Sequence, residues 1–197
     1  INDYLMSMKT KFRTRAKAVY RKSAPLTIKT LNAEDILEES EHIVRLFDSV
    51  LEKSDFHIGT MNPKTFAACK ENLGDDFIFM AYYMDEKMLG FSTAFRNANS
   101  LDANYVGLDY EYNESYDVYQ RILYDYVGLA LQTKSVELQF GRTSETIKSA
   151  VGAVPVDMTI YIQHKRSLSN VILKKVIQSV SPSPFELRKP FKANFKN

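Results

Sequence analysis

A run of acidic, polar and aromatic residues at positions 109–117 concentrates the side chains of this sequence that could do chemistry. Asp109, Tyr110 and Glu111 open the run, and carboxylates and phenols are groups that accept or donate protons in acid–base catalysis. A carboxylate at this place needs a pKa raised by burial before it can act as a base. We therefore take these three residues as candidate catalytic groups.

The same run lies between an apolar strand-like stretch and a long amphipathic stretch, which predicts a strand-to-helix turn. A helix that begins near Ser115 would present unpaired N–H groups and a partial positive charge. Asn113 and Ser115 are therefore candidate ligands for an anionic cofactor group. The acids Glu111, Glu114 and Asp117 would repel a phosphate at this point.

Arg142 and Lys148 form a second candidate site. Arg142 ends a predicted strand and Lys148 lies in the next predicted helix, so the turn between them could direct both cations into one crevice. Such a pair suits a phosphate or carboxylate group. The alternative is that Arg142 forms a structural ion pair with Asp109 or Glu145.

Other chemistries find little support in the sequence. The single Cys69 cannot form an internal disulfide, and the three histidines lack metal-ligand spacing, so we expect no metal. No apolar stretch approaches the roughly 20 residues that a membrane span needs, and no signal segment opens the chain. We expect a cytoplasmic protein.

Charge is segregated along the chain although the net charge is only +2. Residues 1–30 and residues 160–197 each hold eight Lys or Arg and one acid, whereas acids dominate between them. The basic ends could form a surface for RNA, phosphate or anionic lipid. Alternatively, they lie on the acidic middle or are simply solvated.

The order of apolar patterns predicts a mixed sheet covered by helices, at the border of the α/β and α+β classes. Three antiparallel strands precede a helix and a further strand that runs parallel to the last of them, so the sheet could open at residues 105–118. We divide the chain into a basic N-terminal helix (1–25), a central domain (26–163) and a C-terminal helix with a basic tail (164–197). Helices are predicted over 2–22, 32–53, 62–74, 116–134, 144–152 and 168–180, and strands over 26–31, 76–84, 87–97, 101–110, 135–142 and 155–163.

Three segments resemble the GNAT N-acyltransferase superfamily, and two of them its Fem-like branch of peptidyltransferase relatives. DYLMSMKTKFRTRAKAVYRK (3–22) is similar to a basic Fem-type helix, and LQFGRTSETIKSAVGAVPV (138–156) resembles a Fem-type signature with GR, a later Lys and a final Gly-Ala. LGDDFIFMAYYMDEKMLGFSTAF (73–95) resembles the hairpin of the second and third GNAT strands.

This resemblance implies transfer of an acetyl or aminoacyl group from acyl-CoA or aminoacyl-tRNA to an amine of a small molecule or peptide. It also implies a bulge in the fourth strand whose backbone N–H binds the acyl carbonyl, and Gly107 is where a bulge would form most easily. One feature departs from the family: its glycine-rich pyrophosphate loop is replaced here by DYEYNESYD (109–117). The competing hypothesis is therefore a non-catalytic domain of the same fold that binds RNA or a protein partner.

Overall fold

Five strands form one mixed sheet in the computed structural model, which describes residues 1–53, 61–142, 144–159, 161–166, 169–170, 173 and 185–193. The strands lie in chain order, and the first four are antiparallel while the fifth runs parallel to the fourth. The predicted mixed α/β sheet flanked by helices is confirmed. The strands are β1 (Thr27–Thr30), β2 (Phe77–Met84), β3 (Lys87–Asn97), β4 (Ser100–Leu108) and β5 (Glu137–Gln139).

Alternating side chains of the sheet divide the core between its two faces. Phe77, Phe79 and Ala81 of β2 point to one face, whereas Tyr82 points to the other, as the period of two requires. Helices α3 (Ala33–Glu38), α4 (Ser40–Glu52) and α5 (Pro63–Leu73) cover the first face. The second face is covered by α1 (Asn2–Ser7), α2 (Thr10–Lys22) and α7 (Val118–Gln132). Two further helices are α6 (Tyr110–Tyr116) and α8 (Glu145–Ala150), and a short 3-10 helix spans Gly74–Asp76.

Three predicted helices are interrupted in the structure. The helix predicted over 2–22 is divided into α1 and α2 at Met8 and Lys9, and Met8 forms an isolated antiparallel bridge with Phe191. The helix predicted over 32–53 is divided at Glu39. The helix predicted over 116–134 is preceded by α6 and separated from it by Asp117, whose φ of 50° is left-handed.

The strand predicted over 155–163 is wrong: residues 155–159 and 161–163 form neither helix nor strand. The strand predicted over 135–142 shortens to the three residues of β5. Most of the helix predicted over 168–180 lies outside the described residues. Within the ranges that the structure describes, no helix is long and apolar enough to cross a membrane.

Candidate functional site

The sheet parts between β4 and β5, as the sequence predicts. Only three residue pairs join these strands, from Ser100↔Glu137 to Asp102↔Gln139. Just beyond β5, Gly141 has a φ of +65°, a left-handed conformation that glycine adopts without steric cost. At Gly141 the chain still lies beside Ala103, since a Cβ on this glycine would be 3.6 Å from the Ala103 carbonyl oxygen. The C-terminal half of β4 therefore pairs with no strand on this side among the described residues, and we call the opening beside it the crevice.

A β-bulge lies at this free part of β4. Ser92 pairs with Val106 and Ala94 pairs with Ala103, which leaves Asn104 and Tyr105 opposite the single residue Thr93. The buried Thr93 hydroxyl stabilises the bulge by accepting a hydrogen bond from the Tyr105 N–H at 2.9 Å. The predicted place of the bulge, Gly107, lies two residues beyond Tyr105.

Tyr126 of α7 lies beneath the bulge. Its hydroxyl donates to the Thr93 carbonyl oxygen at 2.9 Å, and it also has a hydrogen bond with the backbone of Asn104. Burial raises the pKa of this phenol well above its ordinary value, so it stays protonated. Tyr126 thus joins the helix to the irregular part of the strand.

Gly107 has a packing role in this structure. A Cβ at this position would lie 2.1 Å from Cε1 of Phe91 and 2.9 Å from Cβ of Leu46. The aromatic ring of Phe91 therefore fills the space where a side chain would be. The absence of a side chain allows α4 to pack closely on β4.

Asp109 caps α6 and binds two cations. One carboxylate oxygen accepts from the Glu111 N–H at 3.2 Å, and the other lies 3.1 Å from Lys87 Nζ and 3.3 Å from Arg45 Nη1. Burial alone would raise the pKa of Asp109, but the hydrogen bonds from Lys87 and Arg45 lower it below its ordinary value. A carboxylate held ionised in this way is a weak base, which argues against the base role expected from the sequence.

Tyr110 and Glu111 lie in the first turn of α6. The ring of Tyr110 is half-buried, with Lys53 Nζ 3.8 Å from its centre, and burial raises the pKa of its hydroxyl. The side chain of Glu111 is exposed. Both residues remain on the same turn as Asp109, at the end of β4 that borders the crevice.

The N-terminus of α7 is already occupied by side chains of the same chain. Asn113 Oδ1 accepts from the Tyr119 N–H at 2.9 Å, so Asn113 caps the helix. Asp117, the left-handed residue that precedes α7, is buried and binds Arg15 at 2.9 Å and Lys22 at 3.6 Å. Ser115 is exposed. One N–H group of this helix end is therefore already bonded and the Asp117 carboxylate lies beside it, which disfavours a pyrophosphate at this point.

Arg142 and Lys148 are brought together on the far side of the crevice. The Arg142 residue is exposed, and its main-chain oxygen accepts a hydrogen bond from Lys148 Nζ at 2.6 Å. Burial lowers the pKa of Lys148 to about 8, so this amine is partly neutral near physiological pH. The expected alternative of an Arg142–Asp109 pair is not formed, since the cations on Asp109 are Arg45 and Lys87.

Several residues at this place were missed by sequence reasoning. Arg45, Lys53 and Lys87 surround the strand-to-helix turn at residues 109–117, which we call the elbow. Tyr119 of α7 shares a hydrogen bond with Ser144 across the crevice. Arg45, Lys53 and Lys87 are far from residues 109–117 along the chain, so no local pattern connects them with this run. Thr93 could have been noticed, because Ser92 and Thr93 form a polar pair in the apolar middle of the predicted strand.

Comparison with solved structures identifies the fold. Matching structures include a GNAT family acetyltransferase from Staphylococcus aureus (14% identity, TM-score 0.52), which covers 71% of this chain and 98% of its own. A Trypanosoma brucei acetyltransferase matches with 9% identity and a TM-score of 0.51 over 71% of this chain and 99% of its own. A possible acetyltransferase from Clostridium difficile matches with 13% identity and a TM-score of 0.50 over 71% and 97%. At these identities the likeness establishes the GNAT fold.

No protein-family model matches the sequence, and no curated protein matches it either.

Proposed function

We propose that this protein is an N-acyltransferase, which moves an acyl group from an activated donor to an amine. The observation that carries the proposal is the opening of the sheet beside the bulge at Asn104 and Tyr105. A carbonyl that lies in this crevice would meet the unpaired edge of β4. Main-chain N–H groups of this edge other than that of Tyr105, which is bonded to the Thr93 hydroxyl, would stabilise a developing oxyanion. The GNAT fold supports the same reaction class.

The two sides of the crevice suggest a division of roles. Arg142 is exposed on one side and would bind an anionic group of the donor, while the partly neutral Lys148 amine beside it would accept or donate a proton. Tyr110 and Glu111 on the other side would contact the amine acceptor, a small molecule or a peptide. Asp109 would position this turn through its cap and its two cations rather than act as a base.

The side chains at the start of α7 influence which acyl donor the site would bind. Because Asn113 and Asp117 occupy the start of α7, a donor held by its pyrophosphate at that point is disfavoured. We therefore place an aminoacyl ester, as in aminoacyl-tRNA, before acyl-CoA as the donor. Membership of the Fem-like branch and a cytoplasmic location belong to the same proposal, and they rest on the segments at 3–22 and 138–156.

A second candidate function, binding of RNA without catalysis, is favoured by one observation. The Met8–Phe191 bridge and the hydrogen bond from the Lys9 N–H to the Pro190 carbonyl oxygen bring the two basic ends of the chain together. Their described cations could bind phosphates of a nucleic acid. The described cations of these two segments include Lys9, Lys11, Arg13, Lys17, Arg21, Arg188, Lys189 and Lys192.

Thermal shift tests the proposal without a known acceptor. Acetyl-CoA, aminoacyl-tRNA and uncharged tRNA are each added to the wild type, to Arg142→Ala and to Arg96→Ala. Arg96 is a matched control, since it is also an exposed arginine. It lies near the C-terminal end of β3 and pairs with Asp76. We expect a donor at about 100 times its Kd to stabilise the wild type by about 2.7 kcal/mol, and Arg142→Ala to lose most of this.

The panel separates the hypotheses. Stabilisation by aminoacyl-tRNA beyond uncharged tRNA, lost in Arg142→Ala and kept in Arg96→Ala, supports an aminoacyl donor. Stabilisation by acetyl-CoA with the same pattern supports the acyl-CoA enzyme. Equal effects of charged and uncharged tRNA that disappear at high salt favour the binding domain and contradict the transferase.

A further inference from the structure

A pocket of about 380 Å³ lies between α2 and α7. The described residues that line it include Tyr20 of α2 and Tyr124, Asp125 and Gly128 of α7. These four residues are different from those assigned above to the two sides of the crevice. A hollow with a few converging polar groups is the usual form of a small-molecule site. The pocket is therefore a candidate for a second binding site.

Asp125 is the acidic group of this pocket. Both of its carboxylate oxygens accept from Arg121 Nε, at 2.9 and 3.0 Å, and Tyr82 forms a further hydrogen bond with it. The Arg121 guanidinium extends to the end of α2, where Nη1 donates to the Ser23 hydroxyl at 3.0 Å. Charge-assisted hydrogen bonds of this kind fix the geometry of both groups. The carboxylate is thus held in one orientation at the wall of the pocket.

The electrostatic environment of Tyr20 favours a positive charge in the pocket. Burial raises the pKa of the Tyr20 hydroxyl to about 12, and the nearby Asp125 carboxylate adds to this rise. The Arg121 guanidinium lowers the same pKa, but by less than Asp125 raises it. At this wall the negative charge of Asp125 therefore outweighs the positive charge of the arginine that pairs with it.

Two aromatic rings lie beside the carboxylate. The ring centres of Tyr20 and Tyr124 are 5.8 Å apart, and the ring planes are inclined by 38°. The face of an aromatic ring attracts a cation that lies within about 6 Å of its centre. The Tyr20 ring already makes such a contact, since the guanidinium carbon of Arg121 lies 5.0 Å from its centre. Rings and carboxylate together suit an ammonium group.

Gly128 leaves open space at the helix side of the pocket. A Cβ on this residue would meet nothing within 4 Å, although the residue lies in the interior of α7. Glycine inside a helix costs about 1 kcal/mol relative to alanine. A ligand that fills this space would offset the cost.

We propose that this pocket binds a small organic cation, a primary alkylammonium ion, whose ammonium group lies against Asp125 and the rings of Tyr20 and Tyr124. Its alkyl chain lies along Gly128 and the half-exposed Leu131, which lines the same pocket. Burial of the chain against these residues adds a hydrophobic contribution to the electrostatic one. The site is separate from the place proposed above for the amine acceptor, so the inference goes beyond the transferase proposal.

NMR titration of the protein labelled with ¹⁵N measures this binding without an acyl donor, so its outcome is independent of the transferase proposal. Butylammonium chloride is the probe. 1-Butanol, at equal ionic strength, is the matched control, because it has the same number of heavy atoms and no charge. We expect butylammonium to move the amide signals of Tyr124, Asp125 and Gly128 saturably, with a Kd of about 1 mM, and 1-butanol to bind at least about tenfold more weakly.

Two variants test the place and the charge of the site. Gly128→Leu fills the open space with a good helix former, so it should remain folded and weaken butylammonium binding at least about tenfold. Asn72→Leu is the matched control, because it adds a leucine at an exposed position of α5, on the other face of the sheet. Asp125→Asn should remove the preference for butylammonium over 1-butanol.

Three results would overturn the proposal. The first is a titration in which butylammonium causes no saturable shift, or binds no better than 1-butanol. The second is binding that Gly128→Leu leaves as strong as Asn72→Leu does. The third is a set of shifts confined to Tyr110 and Glu111, which would place the cation at the proposed acceptor site instead.

Discussion

Gly107 and Gly128 lie in opposite environments. A Cβ on Gly107 would meet the Phe91 ring, whereas a Cβ on Gly128, in the middle of α7, would meet nothing within 4 Å. We expect Gly107→Ala to lower the free energy of unfolding by about 1–3 kcal/mol through overpacking. Gly128→Ala should raise it by about 1 kcal/mol, because alanine is the better helix former. Urea unfolding measures both, and equal effects of the two substitutions would contradict the packing role of Gly107.

Lys148 makes stability depend on pH. Burial lowers the pKa of its amine from the ordinary value of 10.5, which applies to the unfolded chain, to about 8 in the folded state. Between these values the unfolded chain binds more protons, so stability rises with pH. A shift of this size corresponds to at most about 3 kcal/mol. We expect the wild type to gain stability relative to Lys148→Met as the pH rises from about 7 to about 10.

Urea unfolding across this pH range checks the Lys148 prediction. Lys70→Met controls for the loss of hydrogen bonds to main-chain oxygens, because Lys70 Nζ donates to the Gly74 and Phe77 carbonyl oxygens. Parallel curves for the wild type and Lys148→Met would show that the amine is protonated equally in both states. In that case Lys148 would be only an anion-binding cation in the proposed site.

At the scale of elements, Asp117 joins three helices. It separates α6 from α7 in a left-handed conformation, and it binds Arg15 and Lys22 of α2. Lys22 also donates to the Glu114 carbonyl oxygen, and Arg15 to Gln120 Oε1. The basic N-terminal helix therefore lies partly on the acidic middle of the chain, which is one of the three arrangements that the charge pattern allowed.

We expect Asp117→Asn to destabilise the protein by about 1–3 kcal/mol, because Asn tolerates the left-handed conformation but leaves two cations without their carboxylate. Arg15 and Lys22 are 47% and 43% exposed, so water reduces the loss below that of a fully buried pair. Asp76→Asn, which breaks an exposed pair with Arg96, should change stability by less than about 1 kcal/mol. If urea unfolding shows that Asp117→Asn and Asp76→Asn lower the free energy of unfolding equally, the ion pairs between α2 and Asp117 contribute little to stability.

Local patterns explain which elements the sequence could predict. The hairpin of β2 and β3 follows from two mainly apolar runs on either side of the two-residue connection Asp85-Glu86, where Asp85 takes a positive φ of 54°. The strand expected at 155–163 has the correct pattern but requires a neighbour, which the pattern alone does not supply. The helix break at Asp117 has no local signal, because its partner Arg15 is 102 residues away along the chain.

At the scale of the whole molecule, the mixed sheet and its opening could be predicted because the order of elements sets them. The chemistry of the crevice could not. Whether Asp109 is a base depends on Arg45 and Lys87, and the place of the bulge depends on a hydroxyl of the neighbouring strand. Such contacts join residues that only the complete fold brings together.

The pairing of Met8 with Phe191 has a mechanical consequence. Lys9 and Lys192 add hydrogen bonds to Pro190 and Ser7 on either side of this bridge. A pulling force applied to both ends of the chain would first load these few bonds, and tension would reach the sheet only after they rupture. We therefore expect the hydrogen bonds that join the two ends to break before any pulling force reaches the strands around the crevice.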